Sequence, residues 1–276
     1  MVKQDITIKV LYGSAAGRAL TKGLLAAGAP RLIASYLRSP ASRPRIKRFI
    51  RKNGIDMTPY EKKDYASFAD FFVRKKENVT FDGDPASLIS PCDAYLSFCP
   101  IEKDGSFIIK GTPYSLRDLI GETEDADALC GGLCLIFRLS VKDYHRYIWF
   151  DGGYVGDDVY TEGKLHSVQP ICCEKYPVYR LNRRRRQRFE SDGFGLCYLI
   201  EVGALAVGGI VNEAEDRRVA RGEEMGHFEL CGSTVVLLLG KDKAELLPEI
   251  KDAALTDGEV KVRQGEVIGR AAEKKA

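Results

Sequence analysis

The residues most able to do chemistry are a glycine followed by a pair of hydroxyl side chains, Gly232-Ser233-Thr234. The stretch before them begins with a turn-like Arg221-Gly222, after which Phe228 and Leu230 alternate with polar neighbours, and residues 235–239 form a continuous apolar run. These patterns predict a half-buried strand and a fully buried strand, joined as a core hairpin with the hydroxyl pair at its glycine break. One interpretation is a β-bulge, since glycine in a strand often marks one.

The other interpretation is a reactive peptide bond between Gly232 and Ser233. Glycine offers an unhindered carbonyl and tolerates a strained backbone, and Ser233 Oγ lies one residue away. Attack by Oγ gives an ester, and elimination from that ester leaves residue 233 as an N-terminal pyruvoyl group. Such a group condenses with a substrate amine and acts as an electron sink, a role otherwise played by a cofactor.

Composition limits the other function classes. The chain of 276 residues has 45% hydrophobic and 29% charged residues and a net charge of +3, as expected for a globular protein. Eight cysteines without a Cys-x-x-Cys pair and three histidines argue against a zinc site, so we expect no metal and reduced thiols in a cytoplasmic protein. We find no secretory signal and no run of 18 apolar residues.

Basic residues are concentrated near the N-terminus, where residues 18–52 contain no acidic side chain. Residues 14–37 have an amphipathic helical pattern, divided by Gly28 and Pro30, and two prolines predict a linker at residues 39–45. The helices either pack on the core or lie on an anionic membrane. The basic stretch at residues 180–188 lacks interleaved aromatic residues, so we expect no nucleic-acid partner.

Strand patterns dominate from residue 88 onwards. We therefore predict an α+β fold, with basic N-terminal helices followed by a mostly antiparallel, barrel-like β domain. The predicted domains are a membrane-associating helical region at residues 1–64 and a catalytic domain at residues 65–276.

Several short motifs together resemble the phosphatidylserine decarboxylase family, whose members cleave themselves at a Gly-Ser bond. The resemblance runs in the same order from about residue 65 to residue 270. It rests on the Gly-Ser-Thr element with the preceding residues 222–228, and on Tyr-x-Ser-x-x-x-Phe-Phe-x-Arg at 65–74, Ser-Pro-x-Asp at 90–93, Asp-Tyr-His-Arg at 143–146, a Ser-Val-Gln-Pro strand at 163–170, Val-Gly-Ala at 202–204 and a terminal hairpin at 260–269.

The resemblance implies decarboxylation of phosphatidylserine to phosphatidylethanolamine, with a pyruvoyl group formed from Ser233. The mature enzyme would be a heterodimer of a large chain ending at Gly232 and a small chain. Whether such heterodimers also assemble into a homo-oligomer stays open. It would lie on the cytoplasmic face of the membrane as a peripheral protein. Asp93 matches an aspartate of the self-cleavage machinery. We assign His145 as proton donor, expecting an imidazole near its ordinary pKa.

One position departs from the family pattern. A second histidine, associated with self-cleavage, usually stands three residues after the first, but this chain has Ile148. We expect His166, oriented by Asp93, to serve as the base instead, because Gly226 suggests that His227 lies in a turn. Two alternatives stay open: a pyruvoyl enzyme acting on a soluble amino acid, or a non-catalytic binding module.

Overall fold

The computed structural model describes residues 29–102, 106–109, 112–121, 123–162, 183–203, 209–212, 216–230 and 233–272. The predicted helix at residues 14–28, the cleavage-site residue Gly232 and the proposed base His166 lie outside these ranges. The described residues form the following helices, numbered in chain order: α1 Ala29–Arg38, α2 Pro44–Asn53, α3 Phe68–Phe72, α4 Leu116–Ile120, α5 Asp125–Leu129 and α6 Pro248–Asp257.

The expected linker at residues 39–45 is wrong, because the chain there is helical. A 3-10 helix occupies Pro40–Ser42, and α2 begins directly after Arg43. Each proline stands in the first turn of its helix, where its missing N–H has no intrahelical partner to lose. Gly54, with φ of 59°, ends α2 in the left-handed conformation that glycine adopts without steric cost.

Sixteen strands follow in the described part of the chain. They are β1 Ser87–Ile89, β2 Ala94–Pro100, β3 Ser106–Ile109, β4 Thr112–Ser115, β5 Leu133–Leu139, β6 Arg146–Ile148, β7 Gly153–Thr161, β8 Arg184–Ser191, β9 Gly195–Val202, β10 Gly209–Asn212, β11 Arg217–Val219, β12 Glu224–Glu229, β13 Ser233–Leu239, β14 Ala244–Leu246, β15 Val260–Val262 and β16 Val267–Ala271.

All strand pairs are antiparallel, so the α+β prediction is confirmed. The largest sheet has eight strands in the order β11-β7-β8-β9-β13-β5-β2-β15, and two three-stranded sheets have the orders β10-β12-β6 and β1-β16-β14. The expected barrel-like closure is not found: in the described ranges β11 and β15 are edge strands that do not pair with each other. Alternating hydrophobicity specifies strand faces but not whether a sheet closes.

Both faces of the eight-stranded sheet are covered. On its first face, alternate residues of β13 and its neighbours, such as Val235 and Leu199, pack in a large core with β1, β6, β12 and β16. On its second face, Val236 and Ile200 pack against the short helices α4 and α5. Every residue of β13 is buried, as the apolar run predicts for a central strand.

The described N-terminal helices pack against the aromatic helix α3. Ala34 and Leu37 of α1 and Ile46 of α2 share one apolar cluster with the phenylalanines of α3 and with Leu230. These contacts cross the predicted domain boundary at residue 64, and the division itself stays a prediction. Within the ranges that the structure describes, no helix is both long enough and apolar enough to cross a membrane.

Candidate active site

The strands on the two sides of the Gly-Ser-Thr element belong to different sheets. β12 pairs with β6 and β10, whereas β13 pairs with β5 and β9. The expected core hairpin is therefore wrong, because the chain passes from one sheet to the other between Leu230 and Ser233. Leu230 is 1% exposed and has φ of 45°, a strained conformation for a bulky residue.

Ser233 begins the central strand β13 and is 1% exposed. It pairs with Leu139, the last residue of β5, and the neighbouring strand β2 begins at Ala94. The register Tyr95–Arg138–Thr234 shows that these three strand ends meet at the same edge of the sheet. The fold therefore brings Ser233, the loop after β5 and the residue before β2 to one edge.

The loop after β5 carries His145, which is fully buried. Its ring stacks against Phe72 of α3, with the centroids 4.1 Å apart. Nδ1 lies 2.9 Å from the carbonyl of Asp143, and because a carbonyl only accepts, Nδ1 carries the proton of the neutral ring. Nε2 is buried and has no hydrogen-bond partner among the described residues.

Burial lowers the pKa of His145 to about 4, against smaller opposing effects of the Asp143 carboxylate and carbonyl. The expectation of an ordinary imidazole pKa is therefore wrong. Sequence could not show this, because desolvation depends on how Phe72 and its neighbours cover the ring. In the free enzyme at neutral pH, His145 is a neutral imidazole with Nε2 as a proton acceptor.

Asp143 fixes the loop that holds His145. One carboxylate oxygen accepts the backbone N–H of Ser140 at 2.7 Å, and the other lies 2.7 Å from Lys261 Nζ. The backbone N–H of Phe228 donates to the backbone carbonyl of His145 at 3.0 Å. This bond ties the loop that holds His145 to strand β12. The point of attachment, Phe228, lies a few residues before Ser233 in the chain.

Asp93 lies just before β2, at the same sheet edge. Its Oδ1 accepts the backbone N–H of Gln264 at 2.8 Å and lies 3.4 Å from Lys76 Nζ. Both Asp93 and Asp143 border a cavity of about 680 Å³ that also contains the side chains of Lys142, Lys261 and Arg263. In this lining Lys261 pairs with Asp143 and Lys76 pairs with Asp93, and neither Ser233 nor His145 is part of it.

Ile148 is buried in the core, and its backbone N–H donates to the carbonyl of Pro91 at 2.9 Å. This position is therefore adjacent to the segment that leads into Asp93.

The expected turn at His227 is wrong, because His227 lies within β12 and pairs with Val211 and Arg146. Gly226 lies within the strand opposite Asn212, and glycine in a strand does not by itself mark a turn.

Sequence reasoning missed Glu201, a fully buried carboxyl group in β9. Asn212 Nδ2 donates to its Oε2 at 3.1 Å, while Oε1 has no partner in the described part of the chain. Burial raises the pKa of Glu201 to about 8. The available signal was a single charged residue inside the apolar run of residues 198–207.

Most of the chain is similar to one protein family. The family model described as phosphatidylserine decarboxylase matches residues 68–270. This range includes the sheet edge with Asp93, His145 and Ser233.

Curated relatives match over most of the chain. A protein named phosphatidylserine decarboxylase proenzyme 2, from Clostridium acetobutylicum, is 36% identical over 265 residues, covering 95% of this chain and 91% of the relative. Phosphatidylserine decarboxylase proenzymes from Clostridium perfringens and Desulfitobacterium hafniense are each 37% identical, covering 87% and 85% of this chain and 84% and 81% of the relatives.

Proposed function

Because the chain belongs to the phosphatidylserine decarboxylase family, we propose that it converts phosphatidylserine to phosphatidylethanolamine and carbon dioxide. Family membership makes it a decarboxylase, that is, a carboxy-lyase. The observation that carries the proposal is the buried position of Ser233 at the start of the central strand, a few residues after the strained Leu230. We propose that the Gly232–Ser233 bond is the self-cleavage site and that Ser233 becomes the pyruvoyl group.

The residues around position 233 fit such a group. His145 Nε2 is a buried polar atom with no partner among the described residues, so it is free to contact a bound group or substrate. The buried edge also excludes water, which strengthens electrostatic interactions there. A pyruvoyl carbonyl supplies the electron sink that decarboxylation needs.

We propose that His145 returns the proton to the substrate carbon. The neutral ring must first take up a proton at Nε2, since burial keeps its pKa low. An anionic substrate raises the pKa of a nearby imidazole, so substrate entry would favour this protonation. Asp143 and Phe72 hold the ring in place through the Nδ1 hydrogen bond and the stacking contact.

Self-cleavage needs proton acceptors for Ser233 Oγ and later for its α-carbon. Our sequence-based proposal is that His166, oriented by Asp93, replaces the histidine absent at position 148. The support for Asp93 is its position at the sheet edge, two residues after the carbonyl that binds Ile148. The products would be a large and a small chain that remain together as a heterodimer.

We propose peripheral attachment to the cytoplasmic face of the membrane through the N-terminal helices. Ala34 and Leu37 face the protein, whereas Leu32, Ile33 and Tyr36 of the same helix α1 are exposed, Leu32 to 72%. The adjacent α2 has no acidic residue and exposes five basic residues: Arg45, Lys47, Arg48, Arg51 and Lys52. An apolar face beside basic side chains suits an anionic lipid surface.

The proposal is tested by mass spectrometry of the purified protein together with an assay on phosphatidylserine vesicles. We expect two chains, the smaller blocked by a pyruvoyl group at residue 233, and release of carbon dioxide. Ser233→Ala should remain one chain without activity. Faster turnover of free amino acids would favour the soluble-substrate alternative, and an intact, inactive wild-type chain would favour a binding module.

A further inference from the structure

Glu201 and Ser233 lie on the same face of the eight-stranded sheet. In the register of β9 and β13, Thr234 faces Val202 and Val235 faces Glu201. Side chains two residues apart share a face, so Ser233 and Val235 point to the same side, and Ser233 is the diagonal neighbour of Glu201. Diagonal neighbours are about 7–8 Å apart, within reach of a long side chain.

Among the described residues, the carboxyl group of Glu201 is held by a hydrogen bond and forms no ion pair. Asn212 Nδ2 binds Oε2 and also donates to Gln187 Oε1 at 3.1 Å, while Tyr147 OH donates to Asn212 Oδ1 at 2.6 Å. Two charged residues that act on the pKa of Glu201, Asp158 on β7 and Arg185 on β8, bind each other at 2.7 Å and have opposing effects on it.

Within the described ranges, these contacts leave Oε1 without a partner, in a buried carboxyl group beside the candidate nucleophile. A buried polar atom without a partner is costly, so such an atom needs an explanation, and a catalytic role is one of the common ones. The pKa near 8 means that about a tenth of the molecules carry the carboxylate at pH 7, which is enough for a base.

We infer that Glu201 is the proton acceptor for Ser233 Oγ in the first step of self-cleavage. This inference rests on the proposed function. Oγ loses its proton to Glu201 and bonds to the Gly232 carbonyl carbon. The carbon–nitrogen bond then breaks, and the nitrogen of residue 233 receives the proton back. The net change turns an amide into an ester and an amine, consumes nothing and restores Glu201.

This assignment divides the two proton transfers between two groups. Glu201 acts before the ester forms, and the proposed base His166 acts on the α-carbon afterwards. Hydroxylamine cleaves esters but leaves ordinary peptide bonds intact under mild conditions. It therefore distinguishes a chain arrested before the ester from one arrested after it.

The test uses full-length proenzyme made by cell-free synthesis, with cleavage followed by gel and mass spectrometry. We expect Glu201→Gln to slow cleavage by about 10²- to 10⁴-fold and to accumulate no hydroxylamine-sensitive chain. Glu201→Asp, which keeps a carboxylate, should recover part of the rate. Glu190→Gln, on the exposed part of β8, is the control and should cleave normally.

Wild-type protein gives a second measurement that does not depend on how the variants fold. Its cleavage rate should rise about tenfold per pH unit below pH 8 and level off above it, since the carboxylate is the active form. Wild-type rates in Glu201→Gln, a hydroxylamine-sensitive ester in that variant, or a wild-type rate independent of pH would each overturn the inference. If the wild-type chain never cleaves, the proposed function itself fails.

Discussion

The backbone N–H of Phe228 donates to the carbonyl of His145 at 3.0 Å, and this bond joins the two halves of the candidate site. Phe228 belongs to β12, the strand that leads towards Ser233, and His145 belongs to the loop after β5. Self-cleavage and decarboxylation both involve residue 233 at this sheet edge, but they occur one after the other. The hydrogen bond explains how a chain break near residue 233 can leave His145 in position, because Phe228 stays on the large chain.

Replacing His145 should separate cleavage from catalysis. We expect His145→Gln to form both chains and the pyruvoyl group, yet to lose about 10²- to 10⁴-fold in kcat, because Nε2 would no longer move a proton. Mass spectrometry measures cleavage, and carbon dioxide release measures activity. Phe72→Leu keeps the imidazole and should lower kcat less. Failure of His145→Gln to cleave would instead make His145 part of the cleavage machinery.

Glu201 should make stability depend on pH. Burial raises its carboxyl pKa from the ordinary value of 4.5 to about 8 in the folded chain, so between these pH values the unfolded chain loses a proton that the folded chain keeps. The free energy of unfolding should therefore fall as pH rises from 4.5 to 8, by at most about 5 kcal/mol, and then stay constant.

Urea unfolding of Ser233→Ala, which should remain a single chain, measures this effect. Adding Glu201→Gln should remove most of the fall between pH 5 and pH 8. Glu190→Gln in the same background should leave it unchanged. Equal slopes with and without Glu201→Gln would show that the buried carboxyl group does not titrate as described.

The strands, the buried β13 and the aromatic helix α3 follow from residue patterns, because periodicity records which face is buried. The patterns could not show that β12 and β13 belong to different sheets, since both a hairpin and a sheet crossover place a short break between two strands. They also could not locate Glu201 beside Ser233, because that proximity arises from the register of β9 on β13. Long-range pairing is absent from local sequence.

Membrane binding should depend on the basic residues of α2 and the residue before it. Each lysine or arginine near an anionic surface contributes about 1 kcal/mol, and salt screens the attraction. Liposome flotation should therefore weaken with added salt and with four serine substitutions: Arg43→Ser, Arg45→Ser, Lys47→Ser and Arg48→Ser. Four substitutions elsewhere on the surface form the control: Lys241→Ser, Lys243→Ser, Lys251→Ser and Arg270→Ser. Equal binding to neutral and anionic liposomes would argue against an electrostatic contribution.

His166 is the last group to be tested, and the position of Ile148 provides the control. If His166 takes the α-carbon proton, His166→Ala should arrest the chain as an ester that hydroxylamine cleaves. Adding Ile148→His to that variant should restore part of the cleavage, because residue 148 binds the Pro91 carbonyl and a ring there would lie close to Asp93. Asp93→Asn should then abolish the rescue, since the new imidazole would lose its orienting carboxylate. Normal cleavage in His166→Ala would exclude His166 and leave His145 Nε2 as the candidate for the second proton, since it is a buried nitrogen at the same edge with no partner in the described part of the chain.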